Sequence, residues 1–374
     1  MTGISEEERA RRDMLIAEAQ RSGRMMKDVA AELGISERGL RHYRALRRDP
    51  AIEDAKTAVN TQLEPALVWA KTKSEDGTSF SVLLKPQVYS ESTLEKIREV
   101  FDGIVPADPV KPPDQVMSDL LTLYPLMDAH IGMMAWGRET GDQDYDLKLA
   151  AQDMRHAFNQ VTALAPASDT ALLIVGGDYT HQDDSNAETP ASKHKLDVDG
   201  RFHKVLDEAI SILVEAVDIL LKKHRKLIVR ILRGNHDPHA HLIITFALFE
   251  RYRNEPRITV EKEPRDLFMM QWGRSAIFAH HGDKAKPQQM ALYLSDVCPF
   301  WSETKHRHLF TGHVHHDQAK DVGPLRFESL RAFCPPDAYA ASMGYGGRRA
   351  LQAVTFHKQN GLVLRALDPI ERAS

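Results

Sequence analysis

The chain has 374 residues, with 49 Lys+Arg against 53 Asp+Glu for a formal charge of −4, and 42% of it is hydrophobic. That balance excludes a disordered chain, and at roughly 100–200 residues per domain the length sets two or three folding units. No apolar run approaches the roughly 18–20 residues of a membrane span. The acidic first residues lack the positive n-region of a signal peptide, and two cysteines, Cys298 and Cys334, exclude a disulfide framework. A cytoplasmic protein with no membrane partner is expected, and any metal it holds must sit on N and O ligands.

Residues 5–48 read as helices. Ser5 with Glu8 makes a capping-box pattern before the apolar Met14, Leu15 and Ile16. A second helix is expected over residues 25–33, broken at Gly34, and a third from an N-cap at Ser36 through Leu40, Tyr43 and Leu46. Small Ala30, turning Gly34 and apolar Val29, Leu33, Ile35 and Leu40 fit a helix-turn-helix outline. The third helix carries Arg38, Arg41, His42, Arg44, Arg47 and Arg48 against Glu37 alone. Such a face can enter a major groove and neutralise phosphates, so DNA is the expected partner, with Arg38, Arg41 and Arg44 as contacts. The competing reading is a plain helical bundle with a solvated basic face.

Residues 66–73 and 79–85, separated by Ser-Glu-Asp-Gly, predict a β-hairpin, and residues 91–101 a short helix. Pro106, Pro109, Pro112 and Pro113 mark a stiff linker and the expected domain boundary. The expected organisation is a helical domain over residues 1–50, a hairpin-and-helix connector over 51–115 and a catalytic domain over 116–374. In this last part apolar runs of strand length at 120–127, 171–175, 227–232, 275–279 and 308–311 alternate with helical patterns such as 147–164 and 202–223, which predicts an α/β layered domain.

Each of those strands runs into a polar cluster. In order these are Asp128-Ala-His130, Gly176-Gly-Asp178, Gly234-Asn235-His236-Asp237, His280-His281-Gly282-Asp283 and Gly312-His313-Val-His315. Groups at the carboxyl ends of strands in an α/β sheet converge on one crevice, so five stretches of chain are expected to build one site. Ten of the 18 histidines fall between His236 and His316, and imidazole is both the commonest neutral metal ligand and the usual proton carrier near pH 7.

The ordered blocks Asp-x-His, Gly-Asp, Gly-Asn-His-Asp, His-Gly and Gly-His-x-His resemble the calcineurin-like metallophosphoesterase superfamily. The resemblance covers roughly residues 118–330 and does not reach the N-terminal third. It implies a four-layer α/β/β/α sandwich with two divalent cations at one end. It places Asp128, His130 and His315 on the first metal, Asn235, His281 and His313 on the second, and Asp178 between them, with His281 favoured over His280 because it directly precedes Gly282. It also implies phosphoester hydrolysis by a metal-bridging hydroxide, with His236 as general acid and Asp237 orienting or charge-stabilising it. A carboxylate, amide and imidazole donor set without thiolate suits Mn²⁺, Fe or Zn²⁺, of which Mn²⁺ is favoured.

The polar segment 181–201 is expected at the rim, with His181 and Arg201 as candidate phosphate contacts; Asp197 and Asp199 would start the following helix. A DNA-directed nuclease is the favoured function, since it gives the basic helix and the phosphoesterase blocks one purpose. Two alternatives stay open. One is a phosphomonoesterase or small-nucleotide phosphodiesterase whose N-terminal helices only mediate assembly, for which the charge of −4 argues; the other is a DNA-binding regulator with a structural metal site. The oligomeric state is left open, a homo-oligomer included.

Overall fold

The computed structural model describes residues 6–22, 24–36, 40, 68–73, 79–84 and 104–371. The chain divides into two compact units, Met1–Lys96 and Ile97–Ser374. In the first, α1 (Glu6–Ser22) and α2 (Met26–Glu32) bury Ala19, Val29 and Ala30 together with Leu40. The helix α2 ends where expected: Gly34 has φ 66, and Ile35 N–H donates to the Ala30 carbonyl at 3.0 Å, a left-handed closure that glycine permits. The Leu40 N–H donates to the Ser36 carbonyl at 2.9 Å. Arg38, Arg41 and Arg44, and the helix expected over 91–101, lie outside the described residues. The hairpin is present as β1 (Val68–Lys73) paired antiparallel with β2 (Ser79–Leu84).

The second unit begins its described part with the proline-rich stretch. That stretch is fastened to its own unit and is no free spacer: Ala107 N–H donates to the Arg251 carbonyl at 2.7 Å, Val110 N–H to Glu255 Oε2 at 2.7 Å, and Arg257 Nη2 to the Val110 carbonyl at 2.7 Å.

Next come β3 (Met117–Leu126), α3 (Gly137–Thr140), α4 (Leu147–Leu164), β4 (Ser168–Val175), α5 (Phe202–Lys223), β5 (Lys226–Ile231), α6 (Ala240–Arg251) and β6 (Ile258–Val260). They are followed by β7 (Leu267–Trp272), β8 (Ser275–His280), α7 (Pro287–Val297), β9 (His306–Thr311), β10 (Gln318–Val322), β11 (Leu325–Ser329), α8 (Ala338–Ser342), β12 (Leu351–His357) and β13 (Gly361–Asp368). One sheet has six strands in the order β13-β12-β3-β4-β5-β6, with β3 to β6 parallel; the other has five in the order β10-β11-β9-β8-β7, with β8, β9 and β11 parallel.

The two-residue period of a strand sorts side chains into layers. Tyr124, Leu126, Leu173 and Val229 face α4, α5 and α6, whereas Leu121, Leu123, Leu172 and Ile174 face the second sheet, where Ile277, Ala279 and Phe310 meet them. On that sheet's far side Ala276, Phe278 and Leu309 pack on Met290, Ala291 and Leu294 of α7. The layer order is α/β/β/α, so both sheets are covered on both faces, which is why the buried stretches of the central strands are mainly apolar.

A buried polar chain crosses this core. Tyr124 Oη lies 2.8 Å from His224 Nε2, and Ser168 Oγ lies 2.8 Å from His224 Nδ1. Burial pushes the His224 imidazole down to about 4, against roughly 6.5 in an unfolded chain. The folded protein therefore keeps it neutral while the unfolded chain takes up a proton below about 6.5, so its contribution to stability is full above that pH and is lost as pH falls toward 4. At pH 5 the loss is roughly 2 kcal/mol. In EDTA, urea denaturation at pH 7.5 and pH 5 is expected to show a gap smaller by that amount in His224→Gln than in the parent; an unchanged gap would mean that this imidazole is not held neutral.

Candidate dinuclear metal centre

All five polar blocks follow the carboxyl ends of strands: β3 for Asp128 and His130, β4 for Asp178, β5 for Asn235 and His236, β8 for His281, and β9 for His313 and His315. The chain turns sharply at each. Among the described residues seven non-glycines have positive φ, and five of them are Asp128 (48), His130 (45), Asp178 (49), His313 (68) and His315 (56). Side chains in the left-handed region cost energy and persist only where surrounding structure holds them. Here buried hydrogen bonds do so. His313 N–H donates to both Asp128 carboxylate oxygens at 3.0 and 2.9 Å, and His236 N–H to Asp178 Oδ1 at 2.8 Å. Glycine is needed where loops meet carboxylates: a Cβ on Gly234 would overlap the Asp178 carboxylate, and one on Gly312 that of Asp128.

The donor atoms fall into two groups that share a border. Asp128, His130 and His315 form one group and Asp178, His281 and His313 another, with the ligand atoms of each group within 4.8 Å of one another. Asp178 lies between them, its Oδ2 being 3.3 Å from His281 Nε2 and 3.9 Å from His130 Nε2. Asn235 Oδ1 is 3.0 Å from His281 Nε2, which joins the amide to the second group. His280 turns aside, its Nδ1 accepting the Gly282 N–H at 2.9 Å.

The electrostatics suit cations. Burial raises Asp128 above the usual carboxylate range. Burial also opposes protonation of His281, yet Asp178, Asp128 and Asp237 outweigh it and push that imidazole up to about 10. Burial opposes ionisation of Asp178, but His281, His236 and His130 overcome it and hold the carboxyl well below its ordinary value. A site that pulls a proton onto His281 to offset its carboxylates is one in which a cation can take the proton's place. His130 Nε2 is buried without a hydrogen-bond partner, as a ligand atom facing an ion would be. The residues fit divalent-cation binding.

His181, expected at the substrate, is among the residues lining the cavity described below, and it also backs His130. It is 1% exposed; its Nδ1 lies 3.0 Å from His130 Nδ1, and its backbone carbonyl is 2.9 Å from His236 Nδ1. For His130 to offer Nε2 to a cation it must carry its proton on Nδ1, and His181 Nδ1 is then the acceptor that fixes this tautomer.

The expectation for Asp237 needs correcting. The residue is fully buried and does not hold His236. Its carboxylate accepts N–H bonds from Gly234 at 2.8 Å, Tyr179 at 2.7 Å, Asp178 at 3.3 Å and Thr180 at 3.4 Å, and so ties the β4 and β5 loops together. The group that orients His236 is the His181 carbonyl. Arg201, expected at the substrate, is the exposed N-cap residue of α5 and lines neither cavity described below. Asp199 caps the first turn of α4, accepting from Leu147 N–H at 2.8 Å, and does not open α5.

A cavity of about 660 Å³ opens over the donors, and His130, Asp178, His181, Asn235, His236, His313 and His315 line it. Its other wall comes from residues absent from the expected set: Cys334, Pro335, Pro336, Asp337, Tyr339 and Tyr345. The signal in the sequence was the Gly-Tyr-Gly-Gly at 344–347 after Pro335-Pro336, a loop composition carrying an aromatic ring. Both cysteines are free and buried.

The layer order, the strand topology and the placement of all five blocks define a four-layer α/β/β/α sandwich with its polar blocks gathered at one end. No protein-family model matches the sequence, and no curated protein matches it. Among solved structures the chain is similar to a novel archaeal phosphodiesterase (11% identity, 66% of this chain and 99% of that one, TM-score 0.33). A putative 5'-nucleotidase from Staphylococcus aureus gives 11% identity, 68% of this chain and 55% of that one, and TM-score 0.33. Zinc-complexed Vps29 from Entamoeba histolytica gives 11% identity, 67% and 99% coverage, and TM-score 0.28. At such identities and scores these likenesses say nothing about activity, and the function rests on the site. No described helix is long and apolar enough to cross a membrane.

Proposed function

We propose that the chain is a metal-dependent phosphodiesterase acting on DNA. The observation that carries this reading is the Asp178 carboxylate standing between two separate donor groups, with His236 beside them at the cavity wall. Two divalent cations bound there, Mn²⁺ favoured, would lower the pKa of water and offset charge on the phosphate. The rest is the work of the chain. Asp128, His130 and His315 would hold one cation, Asn235, His281 and His313 the other, and Asp178 both. His236 donates its Nδ1 proton to the His181 carbonyl, which leaves Nε2 as the atom that, in the imidazolium, passes a proton to the departing oxygen. The buried Asp237 keeps the two loops that carry Asp178 and His236 in register.

The DNA part of the reading rests on the basic sequence 37–48. Replacing Arg38, Arg41 and Arg44 together is expected to weaken duplex binding and to make the slope of log K against log salt shallower by about 2–3, at roughly 0.9 per phosphate contact. Fluorescence anisotropy at several salt concentrations measures this, and an unchanged slope would assign those arginines to a solvated face.

The experiment that tests the function is a Mn²⁺-supplemented panel of single-stranded DNA, duplex DNA, cyclic nucleotides and phosphomonoesters, run on the full chain and on a shortened chain beginning at Ile97. Cleavage of DNA by the full chain, reduced on shortening, is the expected result. Preference for phosphomonoesters or cyclic nucleotides, indifferent to shortening, would replace DNA by a small substrate.

A further inference from the structure

The part of the cavity lining outside the proposed metal ligands has a chemistry that the hydrolytic step does not use. Tyr339 is 62% exposed and Tyr345 53% exposed, yet both line the cavity. His194, from the segment 181–201, lies nearly parallel to Tyr339, with ring centroids 6.4 Å apart at 27°. That segment is itself folded, with Thr189 N–H donating to the His194 carbonyl at 2.9 Å and Leu196 N–H to the Ala187 carbonyl at 3.0 Å. The rim therefore presents aromatic faces on α8 and on the loops beside it, next to the reaction centre.

A second cavity of about 280 Å³ adjoins the first. The two share His315, His316, Gly346 and Gly347, and the second adds Asp317, Arg331 and Arg348. Arg331 pairs with Asp317 at 3.4 Å and Arg348 with Glu371 at 3.4 Å. Pairs so open to water are weak and can be exchanged for a stronger anion. Gly347 is packed so that a Cβ would meet the His315 carbonyl at 2.5 Å, which holds the loop bearing Tyr345 and Arg348 against a metal ligand.

We propose that this wall is a strand-binding subsite for single-stranded nucleic acid. An unpaired base stacks on Tyr339 and Tyr345, and the neighbouring phosphate of the same strand occupies the cavity of Arg331 and Arg348 while the scissile phosphate lies at the histidines. Exposed aromatic faces recruit unpaired bases, since a base inside a duplex already has both faces covered. An arginine-lined cavity next to the reaction centre suits a substrate with at least two phosphates. Of the two acids at the subsite, Asp317 is paired with Arg331 at 3.4 Å, and Asp337 is engaged as the N-cap of α8, accepting the Ala340 N–H at 2.7 Å. Recognition by rings and guanidinium groups reads no base edge, so the preference is for an unpaired strand and is tolerant of sequence. This inference rests on the phosphodiesterase reading for its meaning, but its test does not.

The test is equilibrium binding in EDTA of a single-stranded oligonucleotide carrying 2-aminopurine, using the full chain. The double variant Tyr339→Ala/Tyr345→Ala is expected to lose the stacking quench and to bind about 10- to 100-fold more weakly. Tyr339→Phe/Tyr345→Phe keeps both. An oligonucleotide with abasic sites is expected to bind the parent as weakly as the intact strand binds the Ala pair. Arg331→Gln/Arg348→Gln is expected to make the salt slope shallower by about 1–1.5. With Mn²⁺ present, the ratio of kcat/KM for the oligonucleotide to that for methyl p-nitrophenyl phosphate falls in the Ala pair. Equal binding of intact and abasic strands, or an Ala pair that binds and quenches like the parent, overturns the proposal. Tyrosine-dependent binding without hydrolysis under any metal would leave the subsite standing and remove the phosphodiesterase; oligonucleotide hydrolysis indifferent to the tyrosines would do the reverse.

Discussion

Asp178→Asn is expected to lose metal content and phosphoester hydrolysis together, each by more than about 100-fold. Removing a group that only hydrogen-bonds a metal ligand already costs 10- to 100-fold in affinity or activity, and Asp178 faces both donor groups, 3.3 Å from His281 Nε2 and 3.9 Å from His130 Nε2. The substitution is clean because Asn keeps an oxygen to accept the His236 N–H, which Asp178 Oδ1 accepts at 2.8 Å. The loop stays fastened while the shared negative charge disappears. Elemental analysis alongside turnover measures the effect. Full Mn²⁺-supported activity in this variant would remove Asp178 from between the cations.

His236→Ala is expected to slow turnover by about 10²–10⁴-fold while metal content is kept. The loss should be largest for alkoxide leaving groups and smallest for p-nitrophenolate, which departs without protonation. His236 belongs to neither carboxylate-containing donor group, and its ring is fixed through Nδ1 by the His181 carbonyl at 2.9 Å. It does share a second kind of neighbourhood, an all-imidazole group with His130 and His181 within 4.8 Å. That makes the metal readout decisive. A drop in metal content with His236→Ala would make it a ligand of that trio, and a uniform loss across leaving groups would deny it the proton transfer.

Much of this arrangement was legible in the sequence, for a physical reason. Strand stretches buried on both faces are mainly apolar, so parts of β3, β4, β5, β8 and β9 stand out as short runs, and the polar block after each marks the turn at its carboxyl end. The helices α4 and α5, with their long apolar stripes, begin and end at the residues the pattern gives. The edge strands were not legible. β10 and β13 are largely exposed, and β6 has only three residues; pairing within the sheet, and no strong local pattern, makes them strands.

The residues that come together at the site were legible in the sequence, and the hydrogen bonds that support them were not. Asp237 follows His236 in sequence, which suggested a partner for it, but a carboxylate at the start of a turn finds backbone N–H groups, and four of them take it. His181 is a polar loop residue by sequence, and only the fold shows it buried against His130. The tyrosine wall carries no metal-binding chemistry, so nothing in the blocks pointed to residues 334–347.

The most direct measurement is a Mn²⁺ titration of the metal-free full chain followed by electron paramagnetic resonance. Two Mn²⁺ per chain with exchange-coupled spins, as expected for ions about 3.5–4 Å apart, is the predicted result. A single uncoupled Mn²⁺, or none, would contradict a paired-cation centre on these residues.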